Sequence, residues 1–184
     1  MNELQSFYTL TEKVLSKYVN HTFVETGTYL GDSVELALKL GFEKVISIEL
    51  MEELQNKNIE KFGSYVNEGR LDLVIGDTSI LFNDIVHSLK ERATFWLDAH
   101  QDLGPQGIKK CPLYDELDSI EKSSIKDHTI MIDDMRCLGG RIKWSEGITI
   151  EGIKEKILKI NENYKIVFEC SPFGPQDIMV AYID

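Results

Sequence analysis

Short apolar segments alternate with segments of helical periodicity along most of the chain. Five of the apolar segments are five to seven residues long and rich in β-branched or aromatic residues; they lie at 22–26, 44–50, 71–75, 93–97 and 128–132. Apolar residues spaced three or four apart follow each of the first four, as in the helical pattern that runs to Leu40 and stops at Gly41. Strands that alternate with helices predict an α/β fold, because parallel strands need a crossover connection.

The two ends of the chain complete this pattern. Residues 2–18 carry apolar positions at mixed three- and four-residue spacing, which predicts a leading helix or helix pair packed on the domain. After a helix at 151–161, strands at 164–170 and 178–183 are joined by only seven residues and must therefore pair antiparallel. We predict a seven-stranded, mostly parallel sheet with an antiparallel last strand and helices on both faces.

Length, composition and charge narrow the class of protein. A chain of 184 residues is most economically one domain, and its 42% hydrophobic and 28% charged residues are typical of a soluble globular protein. The net charge of −11 argues against a nucleic-acid partner, and no apolar run is long enough to span a bilayer. Three scattered cysteines and a start without a secretion signal predict a cytoplasmic protein with reduced thiols; the oligomeric state stays open.

The turn after the first predicted strand is the candidate ligand site. It reads Phe-Val-Glu-Thr-Gly-Thr-Tyr-Leu-Gly-Asp-Ser from Phe23 to Ser33. Glycines let the backbone approach a ligand, and the first helical N–H groups point toward it. Tyr29 fills the position where a dinucleotide fingerprint has its second glycine, and the chain contains no Gly-Lys-Ser/Thr of a P-loop. An uncharged or zwitterionic nucleoside therefore suits this turn better than a phosphorylated one.

The Glu-x-Gly-x-Tyr-x-Gly-x-Ser pattern resembles the first motif of the class I S-adenosylmethionine (AdoMet) methyltransferases, and most of all their catechol O-methyltransferase type. A βα turn of any other α/β protein is the structural alternative. The resemblance covers residues 22–134, and the terminal hairpin by topology alone. It implies one Rossmann-like methyltransferase domain over 1–184, with a leading helix at 1–20, an AdoMet-binding core at 21–134, and a final helix and hairpin at 135–184.

Each of the five predicted parallel strands ends in an acidic residue or runs into one: Glu25, Glu49, Asp77, Asp98, and Asp133 with Asp134. Ligands of open parallel sheets bind beyond the carboxyl ends of the strands. Glu49 follows the glycine turn by about 20 residues, where a carboxylate can accept both hydroxyls of a ribose. Its alternative is an exposed residue like the neighbouring Glu52.

The resemblance implies further cofactor contacts. Gly76, Asp77 and Thr78 match the turn that contacts adenine, with Asp77 as acceptor for the exocyclic amine or, alternatively, as a plain helix N-cap. Tyr29 and Ser33 match positions that hold the methionine portion, although Tyr29 is equally suited to core packing. Glu25, Gly27 and Gly31 belong to the same cofactor motif.

Asp98, Asp133 and Asp134 form a second candidate site. Metal-dependent O-methyltransferases carry acids at these positions around one Mg²⁺, so the resemblance implies Mg²⁺ or Mn²⁺ here. Hard divalent cations take oxygen ligands, and a bound metal lowers the pKa of an acceptor hydroxyl. The alternative is that one of the paired acids caps a helix or meets Arg136.

The sequence departs from the catechol type at the general base. Gln101 stands where that type has a lysine, and His100, with a pKa near neutral, is the candidate base beside Asp98. The Asp/Asp-Asp arrangement resembles the methyltransferases of macrocin and novobiocin type, which act on sugar hydroxyls.

We therefore predict an AdoMet-dependent, metal-dependent O-methyltransferase that acts by in-line SN2 transfer. Its expected acceptor is a hydroxyl of a sugar, a glycan or another small molecule. The alternatives are a metal-independent N- or O-methyltransferase, a non-catalytic AdoMet-binding module and, third, a nicotinamide oxidoreductase.

Overall fold

A computed structural model describes residues 9–100, 111–145 and 147–184. The helices are α1 (Glu12–Leu15), α2 (Asp32–Leu40), α3 (Glu52–Lys61), α4 (Gly63–Asn67), α5 (Thr78–Ser88), α6 (Leu113–Lys122) and α7 (Ile150–Ile160). The strands are β1 (Thr22–Thr26), β2 (Lys44–Glu49), β3 (Leu71–Ile75), β4 (Ala93–Leu97), β5 (Thr129–Ile132), β6 (Lys165–Ser171) and β7 (Gly174–Tyr182). None of the described helices is long and apolar enough to cross a membrane.

All seven strands form one sheet in the order β3-β2-β1-β4-β5-β7-β6. Strands β1 to β5 pair in parallel, and β7 lies antiparallel between β5 and β6. This confirms the predicted mostly parallel sheet with its antiparallel last strand. The strand order reverses between β1 and β4, which opens a crevice at the carboxyl ends of these two strands.

Alternate residues of the strands enter two separate cores, so the sheet is covered on both faces. Val24 and Phe95 pack on the face of α5, α6 and α7, whereas their neighbours Phe23 and Trp96 pack on the opposite face with α1 and α2. All residues of β1, β4 and β5 are buried, as expected for strands with helices on both sides.

Two predicted boundaries were wrong. Within the described part of the predicted leading helix, only Glu12–Leu15 is α-helical, and residues 1–8 lie outside the described residues. Strand β7 begins at Gly174, so the hairpin turn is much shorter than the seven residues expected. The first three residues of β7, Gly-Pro-Gln, are not buried. They have no apolar pattern, so the sequence did not indicate that the strand begins there.

Candidate active site

The turn between β1 and α2 depends on two glycines for packing. Gly27 has φ +90°, and a Cβ there would lie 2.7 Å from the carbonyl oxygen of Asp98. Gly31 has φ +78°, and a Cβ there would lie 2.6 Å from both Asn58 Oδ1 and the ring of Phe62. The sequence predicted glycines for ligand approach; the structure shows that they also let the turn contact the end of β4 and helix α3.

Glu49 fixes this turn to the end of β2. Its Oε2 accepts a hydrogen bond from the backbone N–H of Tyr29 at 2.8 Å, and its Oε1 accepts one from the N–H of Met51 at 2.9 Å. The side chain is only 7% exposed, unlike the exposed Glu52 with which we compared it. Each carboxylate oxygen has a second lone-pair site, so both can still accept a ligand hydroxyl.

Glu25 is fully buried beneath the same turn. Its Oε1 accepts a hydrogen bond from Ser47 Oγ at 2.8 Å. Burial raises its pKa to about 8; the hydroxyls of Ser33 and Ser47 lower it, and the charges of Asp98 and Glu49 raise it further. Glu25 is therefore mostly a neutral acid at pH 7, and Ser33 points toward it from the start of α2.

Asp77 caps helix α5, as its alternative interpretation predicted. Its Oδ1 accepts hydrogen bonds from Ser79 N at 2.9 Å and from Ser79 Oγ at 2.7 Å. Gly76 precedes it in the turn after β3, and Thr78 is the first, buried residue of α5. The adenine contact of this turn stays a prediction, since an N-cap carboxylate keeps an oxygen for a second partner.

His100 lies between two of the predicted metal ligands. Its Nδ1 is 3.2 Å from Asp98 Oδ1, its Nε2 is 2.7 Å from Asp134 Oδ2, and its ring stacks on Trp144 at 4.0 Å. Burial lowers the pKa of His100, but the two carboxylates outweigh burial and raise it to about 10. From the sequence we expected His100 to have a pKa near neutral. Its pKa in the structure is higher, because a carboxylate lies beside each ring nitrogen.

Asp133 and Asp134 have different partners, although they are adjacent in sequence. Asp133 Oδ2 accepts a hydrogen bond from Thr9 Oγ1 at 2.5 Å, and its buried Oδ1 has no hydrogen-bond partner among the described residues. Asp134 Oδ1 pairs with the guanidinium of Arg136 at 2.5 Å, and Arg136 also contacts the buried Asp177 of β7. The alternative that Arg136 meets one of the paired acids is thus confirmed.

The three predicted metal ligands therefore do not gather around one point by themselves. Two groups have ligand atoms within 4.8 Å of one another: Asp98 with His100 and Asp134, and Asp133 with Asp134 and Asp177. Asp134 belongs to both groups, and a residue from outside the predicted triad completes each one.

A small pocket lies beyond the ends of β4 and β5. Its polar lining residues are Asp98, His100, Glu116 and Asp133, and its apolar lining includes Leu97, Ile132 and Trp144. The sequence analysis missed Glu116, yet it left a signal, because this acid interrupts the apolar face of α6 that Leu113, Leu117 and Ile120 form. It also missed Thr9, Asp177 and Trp144, for which no pattern in the sequence points to this site. Gln101 lies outside the described residues.

Comparisons with known proteins support the fold through structure alone. No family model and no curated protein matches the chain by sequence. An O-methyltransferase from Bacillus cereus in complex with S-adenosylhomocysteine has a TM-score of 0.60 at 12% identity, over 94% of this chain and 78% of that one. The S-adenosylhomocysteine-bound methyltransferase PaMTH1 of Podospora anserina has a TM-score of 0.58 at 13% identity, over 89% and 72%.

A third similar structure is the O-methyltransferase TomG of Streptomyces achromogenes, which is involved in tomaymycin synthesis and was solved with AdoMet. Its TM-score is 0.56 at 11% identity, over 94% of this chain and 77% of that one. The strand order, the antiparallel β7 and these similarities lead to one conclusion: the chain has the Rossmann-like fold of the class I AdoMet-dependent methyltransferases.

Proposed function

We propose that this protein is an AdoMet-dependent O-methyltransferase. The observation that carries the proposal is the buried Glu49, which lies at the end of β2 and accepts a hydrogen bond from the glycine turn of β1. A carboxylate in this position suits the vicinal hydroxyls of a ribose. The methyl group would pass from sulfur to an acceptor hydroxyl by in-line SN2 displacement.

The remaining cofactor contacts follow the order of the strands. We assign the methionine end to Glu25, Ser33 and the turn of Tyr29, and the adenine end to the turn of Asp77 and Thr78. This order supports the proposal because β1, β2 and β3 are neighbours, so the three contact regions lie side by side at one edge of the sheet.

We place the acceptor in the pocket beyond β4 and β5, and we propose a hydroxyl of a sugar, a glycan or another small molecule. Asp98 is the group that takes the hydroxyl proton, because both ring nitrogens of His100 already face carboxylates. His100 then acts by orienting Asp98. Cys111, Cys137 and Cys170 form no disulfide, and we propose a reducing, cytoplasmic setting for the protein.

We further propose that a divalent cation, Mg²⁺ or Mn²⁺, assists the reaction. The unpartnered, buried Oδ1 of Asp133 suits such a cation, and Asp98 and Asp134 supply the other carboxylate oxygens. A bound cation would lower the pKa of the acceptor hydroxyl. The protein would hold it by releasing Asp134 from His100 or Arg136.

A metal-independent N- or O-methyltransferase is the second candidate. The guanidinium of Arg136 already contacts Asp134 and Asp177, and His100 already bridges Asp98 and Asp134. Protein cations thus occupy both acidic groups, and the site can be complete without a metal. A non-catalytic AdoMet-binding module would share Glu49 but would not need Asp98.

Binding of S-adenosylhomocysteine tests the cofactor. Calorimetry should show micromolar-range affinity, and Glu49→Gln should weaken it at least about tenfold, since hydrogen bonds to a charged group contribute about 1.5–3 kcal/mol. The matched control is Glu52→Gln, three residues away and exposed, which should bind like the wild type. Tight binding of NADH with none of S-adenosylhomocysteine would refute the assignment.

Binding of Mn²⁺, followed by electron paramagnetic resonance, tests the metal. We expect one site per chain that is lost in Asp134→Asn and kept in Asp84→Asn, a change of an exposed acid on α5. Both variants should bind S-adenosylhomocysteine like the wild type. If the protein binds S-adenosylhomocysteine but no Mn²⁺ at millimolar concentration, the metal proposal is refuted and the metal-independent methyltransferase is favoured.

A further inference from the structure

Strand β6 forms one edge of the sheet and has an apolar middle. It pairs with β7 on one side, and no other strand of the described residues lies on its outer side. Its middle residues, Ile-Val-Phe at 166–168, are only half-buried, whereas the central strands β1, β4 and β5 are buried throughout. The outward N–H and C=O groups of an edge strand can pair with another chain unless charges, prolines or bulges prevent it. In β6 the charged residues and the irregular pairing lie toward the ends, so the middle is open to pairing.

The sequence of β6 is self-complementary about Val167. Its pairing with β7 is regular from Lys165 to Glu169 and loses its register after Glu169, so Val167 is the middle of the regular part. A two-fold axis at Val167 that relates two antiparallel β6 strands places Lys165 of each copy opposite Glu169 of the other, on the same face of the sheet. It also places Ile166 opposite Phe168. Opposite charges and apolar side chains in directly opposed positions stabilise a strand pair.

Strand β3, the other edge of the sheet, lacks this complementarity. A two-fold axis at Leu73, its middle residue, would place Asp72 opposite Val74, so that a charge would face an apolar side chain. Asp72 also pairs with Lys44 of the neighbouring strand β2 at 2.7 Å. The charge pattern therefore favours β6 over β3 as the edge that pairs with a second copy.

The charged residues of β6 can take part in such a pair. Lys165 pairs with Asp184, but both side chains are more than half exposed, and an ion pair of this kind contributes little to stability. Glu169 accepts hydrogen bonds from Lys17 Nζ at 2.8 Å and from the hydroxyl of Tyr18 at 2.9 Å. A carboxylate has about four lone-pair sites, so Glu169 can accept a further lysine.

Helix α7 adds exposed apolar surface beside the same edge. Nζ of Lys154 lies 5.4 Å from the centre of the Phe168 ring. Leu158 follows Lys154 by one turn on the same side of the helix and is 44% exposed. A two-fold axis perpendicular to the sheet would bring α7 of both copies to the same face, where this surface can be covered.

We propose that the protein forms a symmetric dimer in which the β6 strands of two copies pair antiparallel across a two-fold axis at Val167. The two seven-stranded sheets then join into one continuous sheet. The dimer uses no residue that we assign to the cofactor, the metal or the acceptor, so it is independent of the proposed function.

Sedimentation of charge variants tests the dimer and its register. The wild type should dimerise at micromolar concentration, and Lys165→Glu should raise the dissociation constant at least about tenfold, because two attractive pairs become repulsive. The control Lys122→Glu makes the same change of charge at an exposed residue of α6 and should dimerise like the wild type. The double variant, Lys165→Glu with Glu169→Lys, restores opposite charges across the axis and should dimerise more tightly than Lys165→Glu.

Hydrogen exchange followed by mass spectrometry gives a second test, which does not require the double variant to fold. Peptides that cover β6 should exchange more slowly in the wild type than in Lys165→Glu at the same protein concentration, since outward N–H groups donate to the second copy. Peptides of β3 should exchange alike in the two proteins. A wild type that stays monomeric at about 100-fold higher, submillimolar concentration would overturn the proposal. A dimer that Lys165→Glu and Lys122→Glu weaken equally would also overturn it, because that dimer would use another surface.

Discussion

His128, immediately before β5, should make the protein sensitive to acid. The residue is fully buried; its Nδ1 accepts a hydrogen bond from the backbone N–H of Ala93 at 3.0 Å, and its ring packs against Phe95 with centroids 4.9 Å apart. A proton on Nδ1 would face the N–H of Ala93, donor against donor. Burial lowers the pKa of His128 to about 4; Asp127 raises it, and Arg92 and Lys126 lower it.

The free energy involved follows from the two pKa values. Between the unfolded value of about 6.5 and the folded value of about 4, the unfolded chain binds a proton that the folded protein excludes. Stability from this group is therefore present above pH 6.5 and lost as the pH falls to 4. At about 1.4 kcal/mol per pKa unit, the full loss is about 3 kcal/mol, and most of it falls between pH 7.5 and pH 4.5.

Urea unfolding at these two pH values, on the wild type and on His128→Asn, measures the effect. Asn can place its Oδ1 near the position of Nδ1 and accept from Ala93, but it does not titrate. The buried Glu25 and Glu116 have raised pKa values, so their contribution has the opposite sign over an overlapping pH range. We therefore predict that the wild type loses more stability between pH 7.5 and pH 4.5 than His128→Asn does. Equal losses in the two proteins would refute the prediction.

The remaining predictions concern the turn of β1 and the end of β4. Gly31→Ala should destabilise the fold by about 1–3 kcal/mol, because its Cβ would clash with Asn58 and Phe62 at a positive φ. Gly41 also has a positive φ but lies in open space, so Gly41→Ala measures the backbone strain alone, and thermal unfolding should show a smaller loss of stability there. Asp98→Asn should abolish methyl transfer and leave S-adenosylhomocysteine binding within about threefold, since the side chain faces the acceptor pocket; loss of cofactor binding in a folded variant would show that Asp98 is misplaced.

Some residues of the candidate site could be predicted from the local sequence, and others could not. Glu49 and Asp98 could be located from sequence, because each follows a β-branched or aromatic run, and parallel strands bring their carboxyl ends to one edge. Which of the two paired acids meets Arg136 could not be located from sequence. The partner is Asp134, whose backbone adopts φ 61°, and Arg136 in turn contacts Asp177 of β7. That arrangement depends on strand β7 inserting beside β5.

The sequence by itself determined the alternation of strands and helices, the antiparallel end of the sheet and the row of acids along one edge. These features follow from apolar periodicity and from connection length, which are local properties of the chain. Only the tertiary structure decided which acids are paired, which are neutral and which keep an unpaired oxygen. Thr9 and Asp133 are 124 residues apart, and the state of Glu116 depends on Thr26 and Thr78 from other elements. Desolvation and the charges of distant residues set these properties, and both exist only once the chain has packed.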